Sequence, residues 1–265
     1  MTHPRLEHTG RIAVLTLDDP STLNALGESF WPALAARCAE IAGMQPTPGA
    51  MVLTGTGRAF SAGGQLSPDL QRRMSGLGCE AAVAAYMIRT VSPAVEALRA
   101  LSIPVISAVN GIAAGAGVSL ALCADVVLMA RSASFTLPFM PRLGLLPDCG
   151  LTWTLPRAVG RARAGAMMLL GSKVTAEQAE RWGLAWECVD DEQLLPRALE
   201  LAERLAAAPR HAIDEVRQAL DASERRSFSE QLLYEAERQS LLSARPEFTE
   251  GLSAFLDKRS PEFHP

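Results

Sequence analysis

Two bends built almost wholly from glycine and alanine constrain this chain more than anything else in it. They are Phe60-Ser61-Ala62-Gly63-Gly64 and Asn110-Gly111-Ile112-Ala113-Ala114-Gly115-Ala116-Gly117. Each follows a short apolar run that reads as a strand, and the second leads straight into a helical pattern. Where side chains are small or absent, another group can touch the backbone and find N–H groups free to point at it. Brought together, two such bends give two donors for a developing oxyanion. The pattern points to chemistry on a carbonyl.

Glycine-rich bends between strand and helix also bind dinucleotide phosphates. Here the glycines fall at 111, 115 and 117, outside the G-x-G-x-x-G order, and the acid that should follow about 20 residues on is missing. A Walker lysine is absent too. A purely structural turn stays open for either bend alone.

An oxyanion hole needs a proton-transfer group beside it. Asp148 lies in Gly144-Leu145-Leu146-Pro147-Asp148-Cys149-Gly150, an apolar stretch just before a helical pattern. A carboxylate in such surroundings has a raised pKa and suits a general acid or base near neutrality. An aspartate after proline and before a helix is equally a helix N-cap. Asp125, at a strand start, reads as a structural hydrogen-bond acceptor. Cys149 has no histidine placed to activate it as a nucleophile. His3, His8, His211 and His264 are the only histidines, three of them near the ends, which argues against a histidine triad or a metal centre.

Along the chain, strands are expected at 11–17, 50–54, 104–109, 125–129 and 134–137. Helices are expected from Asn24, as cap, to about 42, and over 80–101 and 116–122. The polar stretch 65–79, with Pro68, Gly76 and Gly78, reads as a mobile loop. From Gly150 onward the pattern is almost wholly helical: 161–170, 175–182, 191–207, 211–222, 228–243 and 246–257. Mixed strands and helices followed by helices alone imply an α/β core, residues 1–205, and a C-terminal helical region, residues 206–265. The Ala-Ala-Ala-Pro at 206–209 is the boundary. Such a tail cannot bury much alone, so it should pack on the core or on a neighbouring subunit.

The 265 residues suffice for one sizeable core plus a small appendage. A net charge of −4 argues against a nucleic-acid partner. Arg157, Arg161 and Arg163, and the pair Arg225 and Arg226, could meet a phosphate or simply coat helix surfaces. No apolar run approaches the ~18 residues of a membrane helix, and no signal pattern opens the chain. The five scattered cysteines fit a reducing compartment. A soluble cytoplasmic protein without a membrane partner is expected.

At these residues, from about residue 8 onward, the chain resembles the crotonase superfamily, the enoyl-CoA hydratases and isomerases. The matching landmarks come in order: Leu23-Asn24-Ala25, Gly57-Arg58-Ala59-Phe60-Ser61-Ala62-Gly63, Asn110-Gly111 with its Ala/Gly run, Gly144 to Pro147, and Glu250-Gly251 leading to Phe255 and Lys258. The resemblance implies a spiral of ββα units, a C-terminal helical trimerisation region, and a homotrimer or dimer of trimers. It implies that the amides of Gly64 and Ala116 hold the carbonyl oxygen of an acyl-CoA thioester. Asn24, Ala25, Ala62, Gln65 and Leu66 would line the coenzyme A path, with Phe255 and Lys258 reaching it from the tail. Coenzyme A would enter as part of the substrate, with no cofactor besides.

Departures from the family decide among its activities. The familiar hydratases use two glutamates; Ser119 stands at one position, and Phe139, Met140 and Pro141 at the other. None of these moves a proton, so Asp148 is the one acid in the right segment. That favours an isomerase. Within the family the bends, Ala130-Arg131-Ser132-Ala133, the Asp148 segment and the residues from Glu250 to Pro261 are similar to the ring-epoxide phenylacetyl-CoA isomerases of phenylacetate catabolism. In that group the matching aspartate shuttles the α-proton, and it can also shift a β,γ double bond to α,β. The chain differs in having Gln65 where an aspartate is usual, Leu151 for a glycine, and one extra residue between Phe135 and Gly144. Met140, in that stretch, would line the acyl pocket. Other readings of the residues are a hydratase-like enzyme of different acyl specificity, a dehalogenase-like enzyme with Asp148 as nucleophile, and an inactive thioester-binding protein.

Overall fold

The computed structural model describes residues 3–74 and 79–263. Its strands are β1 (His3–Thr9), β2 (Ile12–Asp18), β3 (Ala50–Gly55), β4 (Ala59–Ser61), β5 (Val105–Val109), β6 (Ile112–Ala114), β7 (Val126–Ala130), β8 (Ser134–Thr136), β9 (Val174–Thr175) and β10 (Glu187–Val189). Its α-helices are α1 (Phe30–Gly43), α2 (Pro68–Met74), α3 (Cys79–Tyr86), α4 (Ser92–Arg99), α5 (Ala116–Ala121), α6 (Leu151–Leu170), α7 (Ala176–Trp182), α8 (Leu194–Ala206), α9 (Arg210–Ser223), α10 (Phe228–Ser243) and α11 (Pro246–Leu256). A π-turn over Met87–Val91 joins α3 to α4, and a second spans Phe139–Leu143.

From β3 to β8 successive strands alternate between two sheets. A six-stranded sheet runs β1-β2-β3-β5-β7-β10, and a four-stranded one runs β4-β6-β8-β9. Thus β3 and β4, β5 and β6, and β7 and β8 each send their first strand to the large sheet and their second to the small one, before helix follows. This is a spiral of ββα units. The large sheet is parallel apart from β1, and β5 at its centre is buried along its whole length. A parallel strand covered on both faces is mostly apolar, which is why Val105–Val109, interrupted only by the buried Ser107, shows no alternation. Helix α8 packs on β2, β3 and β5, while α1 packs on α4 and β1. Phe30, Phe60 and Phe135 are fully buried between these layers. Each contributes about 2–3 kcal/mol of hydrophobic stabilisation.

Several expectations need correcting. Asn24 does not cap α1, which begins at Phe30 after Ser29. Leu23 and Asn24 both take left-handed backbone angles, and the Asn24 side chain turns inward. Part of the polar stretch 65–79 is helix α2, while Gly76 and Gly78 lie outside the described residues. Helix α6 starts at Leu151 and breaks its geometry at Gly160, so the expected 161–170 is only its second half. The chain after Gly150 is not all helix either, since β9 and β10 close the two sheets.

The tail carries little burial of its own. Neither α9 nor α10 has a buried residue, and in α11 only Ala254 is buried. Polar clamps hold α9 instead. Arg217 donates to the Leu101 and Ile103 carbonyls at 2.6 and 2.8 Å and pairs with Asp125. Asp125 also accepts the Val105 amide at 2.7 Å, so it is the structural acceptor that its strand-end position suggests. The two arginine groups are partly used in packing: Arg99 and Arg157 stack on Trp153, Arg163 lies over Trp182 and Arg226 over Tyr234.

Candidate active site

The two bends meet because their strands pair. Strands β4 and β6 run parallel, Ala59 opposite Ile112 and Ser61 opposite Ala113. Beyond the strands the backbones stay in contact. A Cβ on Gly63 would collide with the Ala114 carbonyl and stand 3.3 Å from the Ala116 nitrogen; one on Gly117 would stand 2.6 Å from the Ser61 carbonyl oxygen. Only glycine fits at either place, and Gly63 also has φ +83.

Hydrogen bonding then decides which amides are left over. The Leu26 amide donates to the Gly63 carbonyl at 2.8 Å, and the Gln65 amide donates to the Leu26 carbonyl at 3.1 Å. In such a parallel bridge the intervening residue, Gly64, turns its own N–H to the other side. The Ala116 amide opens α5 and so has no acceptor within its helix. Neither amide has a protein acceptor among the described residues. Two unsatisfied donors thus come from bends in direct contact, and Gly64 is exposed to solvent.

Asp148 is joined to α5 through one hydrogen bond. Ser119, one turn after Ala116 and only 1% exposed, donates its hydroxyl to the Asp148 main-chain carbonyl at 3.1 Å. The Asp148 side chain caps nothing: α6 has Gly150 at its N-cap position, without a side-chain cap. Its Oδ1 is buried with no hydrogen-bond partner among the described residues. Burial raises the pKa of this carboxyl above the usual carboxylate range, with hydrogen bonds from Cys149 and its own backbone opposing. Burial and the neighbouring Asp148 also push the Cys149 thiol far up, which leaves it protonated and un-nucleophilic.

The remaining site candidates divide. Ala25, Ala62, Gln65 and Leu66 lie on or beside the Leu26–Gly64 bridge. The Gln65 side chain covers Gly27, where a Cβ would stand 2.5 Å from its Oε1. Asn24 is the correction: it is fully buried and spent on the fold. Its Nδ2 donates to the Thr56 and Ala59 carbonyls, its Oδ1 accepts the Asp19 amide, and its carbonyl accepts the Ser61 hydroxyl. Nothing of it remains for a ligand. Met140 lies 40% exposed in the π-turn next to Phe139, whose ring packs on Gly115. A π-turn takes up one residue more than an α-turn, and it falls where the sequence seemed one residue long.

Phe255 and Lys258 stand apart. Phe255 is 81% exposed at the end of α11, which lies beside α10. Among the described residues no hydrogen bond, ion pair or ring contact joins Phe255 or Lys258 to the two bends. Two large clefts also lie elsewhere. One of about 520 Å³ is under α9, and one of about 650 Å³ lies between the tail, the β1–β2 turn and residues 44–49. Among the described residues no group of histidine, cysteine and acidic side chains could hold a metal ion. Sequence reasoning missed Ser119 as an anchor. The signal was there: a hydroxyl inside the apolar helix Ala116–Ala121 has to find an acceptor.

Comparison with known proteins fits this geometry. The family model described as enoyl-CoA hydratase/isomerase matches residues 7–265. The 1,2-epoxyphenylacetyl-CoA isomerase of Escherichia coli (strain K12) is 42% identical over 95% of this chain and 94% of its own. A probable enoyl-CoA hydratase of Rhodobacter capsulatus is 41% identical over 98% of this chain and 96% of its own. The crystal structure of a putative enoyl-CoA hydratase/isomerase from Mycobacterium abscessus superposes with a TM-score of 0.90 at 32% identity, covering 98% of this chain and 99% of that one.

Proposed function

The chain belongs to the enoyl-CoA hydratase/isomerase family, and from that premise we propose that it is an acyl-CoA isomerase using Asp148 as its only proton carrier. The observation that carries this reading is the Asp148 carboxyl: half-buried, with Oδ1 shut off from solvent and without a hydrogen-bond partner among the described residues, and tied through Ser119 to the helix that presents the Ala116 amide. The thioester carbonyl of the substrate accepts from the Gly64 and Ala116 amides. Asp148 removes a proton from the adjacent α-carbon, and the electron pair moves into the carbonyl as an enolate. Two amides of this kind contribute about 3 kcal/mol each to stabilising that oxyanion. The same aspartic acid then returns the proton. With a β,γ-enoyl-CoA it goes to the γ-carbon and leaves an α,β double bond. With a ring-epoxide phenylacetyl-CoA the α-proton shuttle accompanies epoxide opening to an oxepin. Atoms balance in both, and no cofactor is needed beyond the coenzyme A carried by the substrate.

The acyl group should be apolar. Met140, Leu143, Leu145 and Leu146, all substantially exposed, surround the Asp148 segment. Ala25, Ala62, Gln65 and Leu66 would guide coenzyme A, with Phe255 and Lys258 supplied by the tail. The exposed apolar residues of α9–α11 support a homotrimer or dimer of trimers, with residues 206–265 as the trimerisation region. The five cysteines, all free, go with a reducing cytoplasmic compartment.

Hydration is the second reading, favoured by the name of the Rhodobacter relative. It asks for a second acid, whereas Ser119 stands at one of the positions where the familiar hydratases carry glutamates and Phe139, Met140 and Pro141 at the other. One experiment separates the two. Asp148→Asn should fold normally yet lose exchange of the α-protons of phenylacetyl-CoA in deuterated buffer, and wild type should shift a β,γ-enoyl-CoA without adding water. Undiminished exchange in the variant would overturn the reading.

A further inference from the structure

We propose that Ser119 is a positioning residue for the proton carrier: from the helix that supplies the Ala116 amide, its hydroxyl holds the Asp148 main chain so that the carboxyl stands at a fixed reach from both oxyanion donors. This rests on the reading of Asp148 as that carrier. The Ser119 hydroxyl is buried in an otherwise apolar six-residue helix, three residues after Ala116 and therefore on the same face. Its acceptor is not a local carbonyl of its own helix, as a buried serine would ordinarily choose, but the carbonyl of residue 148 on another segment.

That segment needs holding. Cys149 follows at φ +52 and Gly150 at φ +80, two consecutive left-handed residues before α6 begins. The conformation suits glycine and is strained for a residue bearing a β-carbon, so the surroundings must impose it at Cys149. Two hydrogen bonds converge on the single carbonyl at the elbow, from the Ser119 hydroxyl at 3.1 Å and from the Leu151 amide at 3.0 Å. The Leu151 bond belongs to the turn itself. The Ser119 bond is the only one of the two that references the elbow to the oxyanion donors. Proton transfer from carbon is sensitive to such placement, because a shift of about 1 Å costs on the order of a hundredfold in rate.

The test uses the full chain with phenylacetyl-CoA and a β,γ-enoyl-CoA as probes. Ser119→Ala should lower kcat on the order of ten- to a hundredfold with KM little changed. The acid limb of its pH profile should also move down toward the ordinary carboxylate range, because a loosened elbow admits water to Asp148. Adding Cys149→Gly should restore part of kcat, since glycine adopts the elbow's angles without strain. Wild-type kcat and an unmoved acid limb in Ser119→Ala would overturn the proposal. So would a lost kcat with an unmoved limb and no rescue by Cys149→Gly, which is the signature of a merely structural serine. Asp148→Asn keeps the two readings apart: if it exchanges α-protons like wild type, the proton-carrier reading itself has failed. If it is inert while Ser119→Ala is normal, only the positioning role has.

Discussion

Gly63 and Ala116 lie so close that a single methyl group on Gly63 would stand 3.3 Å from the Ala116 amide nitrogen. The contact fixes the separation of the two candidate oxyanion donors, since Gly64 follows Gly63 directly. Gly63→Ala must also strain its φ of +83. It should cut kcat on the order of 10²- to 10³-fold, the usual cost of one oxyanion donor. Steady-state kinetics check this beside thermal melting, which should show the variant folded. A folded variant with wild-type kcat would mean that these amides do not hold the thioester oxygen.

The half-buried carboxyl of Asp148 sets a pH dependence of activity and of stability. As a base it acts ionised, and its pKa is raised above 3.8 chiefly by burial. The acid limb of kcat/KM should therefore lie above the ordinary carboxylate range. Between the unfolded value and the raised folded one, the native chain binds more protons, so stability falls as pH rises through that window. Above the folded value the ionised, desolvated carboxylate is a standing cost. Asp148→Asn should accordingly melt higher than wild type at neutral pH. The gap should close as pH falls through the folded value toward 3.8. A variant less stable than wild type at pH 7 would contradict the burial argument.

How much of this was legible in the sequence follows from what each signal measures. The strand-to-bend-to-helix order around Gly63 and Ala116 could be read because apolar runs ending in glycine carry it locally. Helix α10, expected over 228–243, was legible because a helical pattern is likewise carried locally. Strands β9 and β10, of two and three residues, are too short for any periodicity, and only pairing with β8 and β7 defines them. Asn24 looked like a helix cap because caps and left-handed turns favour the same residue type. Its partners lie more than 30 residues away, at Thr56 and Ala59. The site could be approached through Asp148, yet its link to Ser119 spans 29 residues and has no local mark.

Asn24→Ala tests the structural role found for that side chain. The change removes the Asn24 donor from the half-buried Thr56 carbonyl and from the buried Ala59 carbonyl, which keeps only the longer bond from Asn110 Nδ2 at 3.3 Å, and it leaves the Asp19 amide without its Oδ1 acceptor. Each such loss costs about 1 kcal/mol or more, so stability should drop by about 2–3 kcal/mol in urea unfolding. The affinity of the folded fraction for coenzyme A should not change. A selective loss of binding with intact stability would return Asn24 to the ligand path.

Arg217 should matter to the tail in a comparable way. Replacing it with leucine keeps some of the apolar stem but frees the Leu101 and Ile103 carbonyls and leaves Asp125 without its cation. Breaking a largely buried, hydrogen-bonded pair costs about 3 kcal/mol, somewhat less where water reaches it, as here. Unfolding compared at equal protein concentration should show about 2 kcal/mol. Amide exchange in α9 should quicken before exchange in β5. Uniform acceleration across the chain would mean that the clamp is not specific to the tail.

Helices α10 and α11 leave large apolar side chains uncovered within one chain. Phe228 is 79% exposed, Leu233 68%, Phe248 53% and Phe255 81%. Scattered apolar residues are ordinary on a surface, but large ones on two successive helices with almost no burial are what an interface between copies would cover. An assembly of three such tails would bury these side chains and place Phe255 and Lys258 against a neighbour. Wild type should therefore sediment as a trimer or hexamer at micromolar concentration. Leu233→Glu with Phe248→Glu should shift it toward monomer, because each buried apolar side chain lost removes about 1.5–3 kcal/mol and each unpaired charge adds a penalty. Activity should fall with the loss of assembly and recover at higher protein concentration. A wild-type chain that sediments as a monomer would end the trimer proposal and require Phe255 and Lys258 to reach coenzyme A within their own subunit.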